Sequence, residues 1–188
     1  MSFKLSKEDL TKEIEKRGNI VIDGTAASYK KTEQLKSTLE NAGYDVIMVY
    51  VYSSLEKSLR KNEDRFERSG GKDRSLMPQI VLQTWANVTK NFIPYLNLFG
   101  GNFVATTKDK ELVDAKSLDD IVKKYLEPYT PQDTKPKTPA QQRAAEKQIQ
   151  QTEKDVKDLM SKEKVEQHLQ HIVSPEEAQN KLKQFLQS

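Results

Sequence analysis

The chain of 188 residues predicts an α/β fold: a parallel sheet of three strands flanked by helices, with a helical tail behind it. Three observations predict this. Short runs rich in β-branched residues, at 20–23, 44–52 and 103–107, alternate with stretches of helical spacing. The middle run, YDVIMVYVY, is rich in β-branched and aromatic residues on both faces, as a central parallel strand requires. The only Trp, six of the seven Tyr, five of the six Phe and all seven Gly fall before residue 128, so the aromatic core belongs to the first part of the chain.

The elements follow in order. Residues 6–17 form a polar helix, stopped by Gly18. IVID, 20–23, is the first strand. A helix over 28–42 carries Tyr29, Thr32, Leu35, Leu39 and Ala42 on one side, and Gly43 ends it because glycine accepts positive φ. After the strand at 44–52, Ser53 and Glu56 have capping-box spacing for a helix that runs to about 68. Pro78 opens the next helix, whose apolar side is Val81, Trp85, Val88 and Phe92. Pro94 must kink or restart it, and Gly100-Gly101 ends it. FVATT, 103–107, is the third strand, and Ser117 caps a helix over 118–126.

Prolines at 128, 131, 136 and 139 then mark an extended linker. The chain thus divides into an α/β domain (1–127), a linker (128–139) and a helical tail (140–188). In the tail, Ser174-Pro175-Glu176-Glu177 is a helix start, and Ala178, Leu182, Phe185 and Leu186 share a face. Ile149, Val156, Leu159, Val165, Leu169 and Ile172 make an apolar stripe upstream of it. Such stripes need a partner, so the tail is expected to bind protein, by self-association or on another chain; two helices folded back on the same domain are the alternative.

Bulk composition excludes several functions. With no cysteine there is no disulfide, thiolate metal site or cysteine nucleophile. No apolar run reaches membrane-span length. The net charge of +3, from 31 basic and 28 acidic residues, is too small to be a nucleic-acid signature, and no aromatic residues interleave the basic ones in a stacking pattern. His168 and His171, three apart with acids nearby, read as surface residues of a tail helix, and no metal site is expected. A cytoplasmic location is the expected one.

Two constellations could carry chemistry. Open parallel sheets bind ligands beyond the carboxyl ends of their strands, where Asp23, Gly24 and Thr25 would lie. Asp23 could hold a magnesium-bound water and Thr25 a phosphate or substrate; alternatively the three residues are only a turn before a helix cap. The second is KSLRKNEDRFERSGGKDRS, 57–75. Lys57, Lys61, Arg65 and Arg68 recur at spacings of four, four and three, and Lys72 and Arg74 follow a Gly pair. Guanidinium groups on such a helix suit a lid over phosphates. A solvated charged helix, laced with Glu63, Asp64 and Glu67, is the other reading. SGGKD, 69–73, only imitates a phosphate-binding loop: Phe66 stands where the first glycine belongs, Asp73 replaces the Ser or Thr, and a helix precedes it.

In order and spacing, IVIDGT, NAGYDV, IMVYVYSSLEKSL, RKNEDRFERS, RSLMPQIVLQTWANV and LFGGNFV resemble the C-terminal portion of P-loop kinases of the zeta-toxin type, including forms carried by large tailed bacteriophages. The resemblance covers about residues 18–108. It implies substrate-side contacts at Asp23, Thr25 and Asn62, and lid arginines at Arg65, Arg68 and Arg74. It also implies that the phosphate-binding loop, its strand and its lysine lie upstream of IVIDGT, where this sequence has a short polar helix. In such kinases the loop-bearing strand lies between those corresponding to 20–23 and 44–52. Its absence would leave an open slot or a closed-up sheet. Two expectations follow: half of a small-molecule or nucleotide kinase, which would use ATP and Mg2+ only when a partner chain supplies the loop; or a non-catalytic, kinase-derived interaction module, such as a component of a phage particle.

Overall fold

The structure, a computed structural model, describes residues 7–70, 76–109, 112–127 and 139–187. Helix α1 (Lys7–Glu15) leads into an extended segment, and α2 (Tyr29–Asn41) ends before Gly43, whose φ of 86° is the positive value that glycine was expected to supply. Strand β1 (Met48–Val51) is followed by α3 (Leu55–Arg68). Helix α4 (Pro78–Lys90) ends just before α5 (Phe92–Phe99), so Pro94 sits in the first turn of a restarted helix. Strand β2 (Phe103–Thr106) is next, then α6 (Leu118–Ile121), which continues as a π-helical turn over Val122–Leu126. The Ser117 hydroxyl caps α6 by accepting from the Asp120 N–H at 3.2 Å. The tail holds α7 (Pro139–Leu159), α8 (Lys162–Leu169), the two-residue strand β3 (Ile172–Val173) and α9 (Pro175–Gln187).

Three strands form one parallel sheet in the order β1-β2-β3, with helices packed around it and helices at the C-terminus. The fold class is the expected one, but the third strand is not. Residues 20–23 form no strand: Val21 is 94% exposed and Ile22 40%. A parallel strand needs a neighbour in register, and among the described residues none flanks this segment. The third place is taken from the tail, at the other edge. Ile172 and Val173 pair with Ala105 and Thr106, and the Thr106 hydroxyl donates to the Val173 carbonyl at 3.0 Å.

Two apolar clusters hold these layers. On one face of β1, Tyr50 and Tyr52 pack with Phe92, Tyr95 and Phe99 of α5 and with Phe103 and Ala105 of β2. The Phe92 ring meets Tyr50 and Phe103 edge-on at 4.9 and 5.4 Å. The second cluster joins Leu55 and Leu59 of α3, Val81, Leu82, Trp85 and Ala86 of α4, Ile121, Tyr125 and Leu126, and Val156 and Leu159 of α7. Val156 and Leu159 of the tail's apolar stripe are therefore buried against the α/β elements themselves: α7 folds back.

Candidate functional site

Among the described residues, β1 pairs with β2 alone and has an outer edge with no strand beside it. The Tyr52 N–H bonds the Thr106 carbonyl at 2.8 Å, so by strand alternation the N–H and C=O groups of Val49 and Val51 point away from β2. Along that edge runs a cavity of about 550 Å³. Met48–Val51 form one wall and Ile20, Ile22, Gly24 and Thr25 the other, while Leu35 and Leu39 of α2 and Val81, Trp85 and Val88 of α4 complete the lining. Both walls are held in place. The Arg17 guanidinium donates to the Ala42 carbonyl at 3.2 Å, Tyr95 Oη to the Ala26 carbonyl at 2.6 Å, and Asn91 to the Ala27 carbonyl at 3.3 Å. The 20–25 segment is thus tied at both ends while standing off β1.

A polar cluster lies beyond the carboxyl ends of β1 and β2. Asp109, its side chain 6% exposed, accepts from Ser53 at 2.8 Å and from Lys61 at 2.9 and 3.1 Å, with Lys57 at 3.9 Å. Burial pushes its carboxyl up, but the hydrogen bonds from Lys61 and Ser53 and the two lysine charges together hold it below the usual range. Asp114 accepts the Leu55 and Glu56 N–H groups at 3.0 and 2.7 Å, capping the positive end of α3. Burial keeps its carboxyl above the usual range despite those bonds. Ser53 and Glu56 therefore make no capping box: Ser54 is the N-cap residue, its side chain makes no capping bond, and the cap comes from a loop far along the chain. Tyr52, beside Asp114, is pushed up to about 12 by burial and by that carboxylate.

The predicted site residues are only partly brought together. Thr25 lies in the groove wall, and Asp23 is exposed in the unpaired segment rather than at a strand end. On α3, Ser58 lines the groove, and Asn62 and Arg65 follow it at i+4 and i+7, on the same stripe. Asn62 uses both ends of its amide on one residue: Nδ2 donates to the Leu76 carbonyl at 2.9 Å and Oδ1 accepts the Leu76 N–H at 3.1 Å. Arg65 and Arg68 are exposed in the last turn, where Arg68 Nε donates to the Asp64 carbonyl at 3.0 Å. Arg74, like Lys72, lies outside the described residues. The basic row of α3 is split, because Lys57 and Lys61 turn to Asp109. Sequence reasoning passed over Asp109 and Asp114. Their one signal was position, in a loop of mixed charges just after a strand.

His168 also departs from expectation. It is buried, 3% exposed, with its ring 4.7 Å from Phe92 and 6.2 Å from Tyr52, and Nδ1 finds no hydrogen-bond partner among the described residues. Burial first, then Lys164 and His171, lower its pKa to about 4. His171 is the surface residue of the pair. No helix among the described residues is long and apolar enough to cross a membrane.

Fold and groove define the class: a parallel α/β protein with a groove along its β1 edge. Residues 2–94 match the family model described as zeta toxin, which supports a zeta-toxin-like P-loop kinase relationship for that stretch. The match spans α1 to the start of α5, including both walls of the groove and all of α3; β2 and the tail lie outside it. No curated protein and no solved structure matches the chain.

Proposed function

We propose that this chain is the substrate-and-lid half of an ATP-dependent kinase for a small molecule or nucleotide, active when a partner chain supplies the phosphate-binding loop. The observation that carries this reading is the zeta toxin match over a stretch whose own residues contain no G-x-x-x-x-G-K-[ST]. On this reading Arg65, Arg68 and Arg74 are lid arginines, and Asp23 and Thr25 contact the acceptor. Asn62 positions the lid by fixing Leu76, just beyond the segment that carries Arg74.

The residues present do not by themselves fit ATP and Mg2+. The amides at the start of α3 are taken by Asp114, Lys57 and Lys61 are turned to Asp109, and the sequence contains no G-x-x-x-x-G-K-[ST] whose amides and lysine would grip the phosphates. Purified chain is therefore expected to give no ATP hydrolysis or phosphoryl transfer above a buffer control. With the loop-bearing chain added, turnover should appear. Arg65→Ala and Arg68→Ala should each then reduce it at least about tenfold, roughly 1.4 kcal/mol of barrier. Turnover by the chain alone, or a completed pair indifferent to both substitutions, would sink this reading. The internal use of Lys57, Lys61 and Asn62 favours a second reading, a non-catalytic interaction module, for which the completed pair stays inactive.

A further inference from the structure

We propose that the cluster around Asp109, beyond the carboxyl ends of β1 and β2, is a binding site for a phosphate dianion, free or as the end of a phosphomonoester. The Asp109 carboxylate is its internal competitor, holding the donors until the ligand displaces it. The inference goes beyond the kinase reading and does not rest on it.

Charge is the first argument. Lys57 and Lys61 face Asp109 at 3.9 and 2.9 Å, and among the described residues it is the one carboxylate within ion-pair distance of either. Two ammonium charges thus meet a single carboxylate, and one positive charge is left over. A phosphate dianion would balance both. The surplus sits on Lys57. Its side chain is only 26% exposed, yet its ammonium makes no hydrogen bond among the described residues, whereas Lys61 makes two to Asp109. An ammonium largely withdrawn from water without an acceptor is costly, and an anion at this point would remove that cost.

Geometry is the second. Ser53 Oγ donates to Asp109 at 2.8 Å, so a hydroxyl and two ammonium groups converge on one carboxylate. Donors gathered around one point also suit a tetrahedral anion with several free oxygens. They are held by bonds that do not involve Asp109. The Trp85 indole N–H bonds the Ser53 carbonyl at 2.9 Å, and Asp114 caps α3, which carries both lysines. The donors therefore stay in place when the carboxylate leaves. The location is the one where open parallel sheets bind ligands, past the carboxyl ends of the strands. Access is the third argument. The Asp109 side chain is 6% exposed but that of Lys61 is 50% exposed, so solvent reaches the lysine end of the cluster. The Asp109 N–H bonds the Thr107 hydroxyl at 3.0 Å, a link that survives rotation of the carboxylate outward.

The test is calorimetric titration of the full chain with inorganic phosphate at low ionic strength, where charges are least screened. Saturable binding by the natural chain is expected. Asp109→Asn keeps an acceptor for Ser53 but removes the competing charge, so it should bind phosphate at least about tenfold more tightly. Lys57→Gln should bind at least about tenfold more weakly, with a nearly unchanged melting temperature because Lys57 makes no hydrogen bond to lose. If Asp109→Asn fails to fold, the natural chain and Lys57→Gln still decide. AMP in place of phosphate separates the two sources. Tighter binding of AMP assigns the site to a phosphomonoester, equal or weaker binding to the free ion, and either bears the proposal out. Equal affinity for chloride would mean general screening only, and equal phosphate binding by the natural chain and both variants would mean an anion held elsewhere. Either result, or no binding by the natural chain, overturns the proposal and leaves Asp109 as a staple between α3 and the loop after β2.

Discussion

His168 shows how far a residue's role can depart from its neighbourhood in sequence. Placed among Gln, Glu and Lys it reads as a surface residue, yet α8 turns it onto Phe92 and Tyr52. Its pKa falls from 6.5 to about 4, chiefly by burial, so the unfolded chain takes up its proton first as pH drops. Its contribution is complete above about pH 6.5 and is lost as pH falls toward 4. A shift from 6.5 to about 4 corresponds to roughly 3 kcal/mol at the low end of that window. Stability measured from pH 7 to 4 should therefore fall more steeply for the natural chain than for His168→Phe; parallel profiles would refute the assignment. Comparing the two proteins cancels the carboxylates that titrate nearby, such as Asp114. Asn62 is the opposite case, legible in sequence as important but not in what it touches. With both amide atoms on Leu76, Asn62→Ala should cost about 1–2 kcal/mol in thermal unfolding. A pure substrate contact would leave the melting temperature unchanged.

Among the elements, the helices were the most legible. Spacing, Gly43, Pro78 and Ser117 place α2, α4 and α6 close to where they lie, because caps and apolar stripes are local signals. Strands are not local. IVID has strand composition but, among the described residues, nothing to pair with, while Ile172-Val173, two residues in a polar tail, becomes a strand because it meets the edge of β2. The start of α3 teaches the same lesson. Its cap is Asp114, nearly sixty residues away, and no spacing rule near Ser53 could reveal it. Asp114→Ala should remove two charge-assisted bonds at the positive helix end and cost about 1–2 kcal/mol. For a chain of this size that is a fall of several degrees in melting temperature, at about 2–4 °C per kcal/mol. Asp114→Asn, which keeps an acceptor, should lose less; equal losses would show that packing rather than capping matters.

On the scale of the whole molecule, the tail is built into the α/β elements. Val156 is fully buried and Leu159 nearly so, in the same cluster as Leu55, Trp85 and Ile121. Val165 and His168 carry α8 onto the core, and β3 covers the edge of β2. Removing residues 139–187 would thus do two things at once. It would open a cluster whose members lose packing with no replacement. It would also bare the edge of β2, whose residues are fully buried, in a sheet where β1 has no second neighbour among the described residues. The truncated chain should melt well below the full one, its Trp85 emission should shift to the red, and light scattering should show association beyond the monomer. An appendage reserved for another protein would behave differently. Its loss would leave melting and emission unchanged and abolish only the capture of that partner. The two outcomes separate because Trp85 packs in the cluster that α7 completes, whereas Ile149, earlier on the same helix, is 46% exposed and packs in neither cluster. Ile149→Glu should accordingly leave the melting temperature of the full chain unchanged, while Val156→Glu, at the buried end of the same stripe, should unfold it.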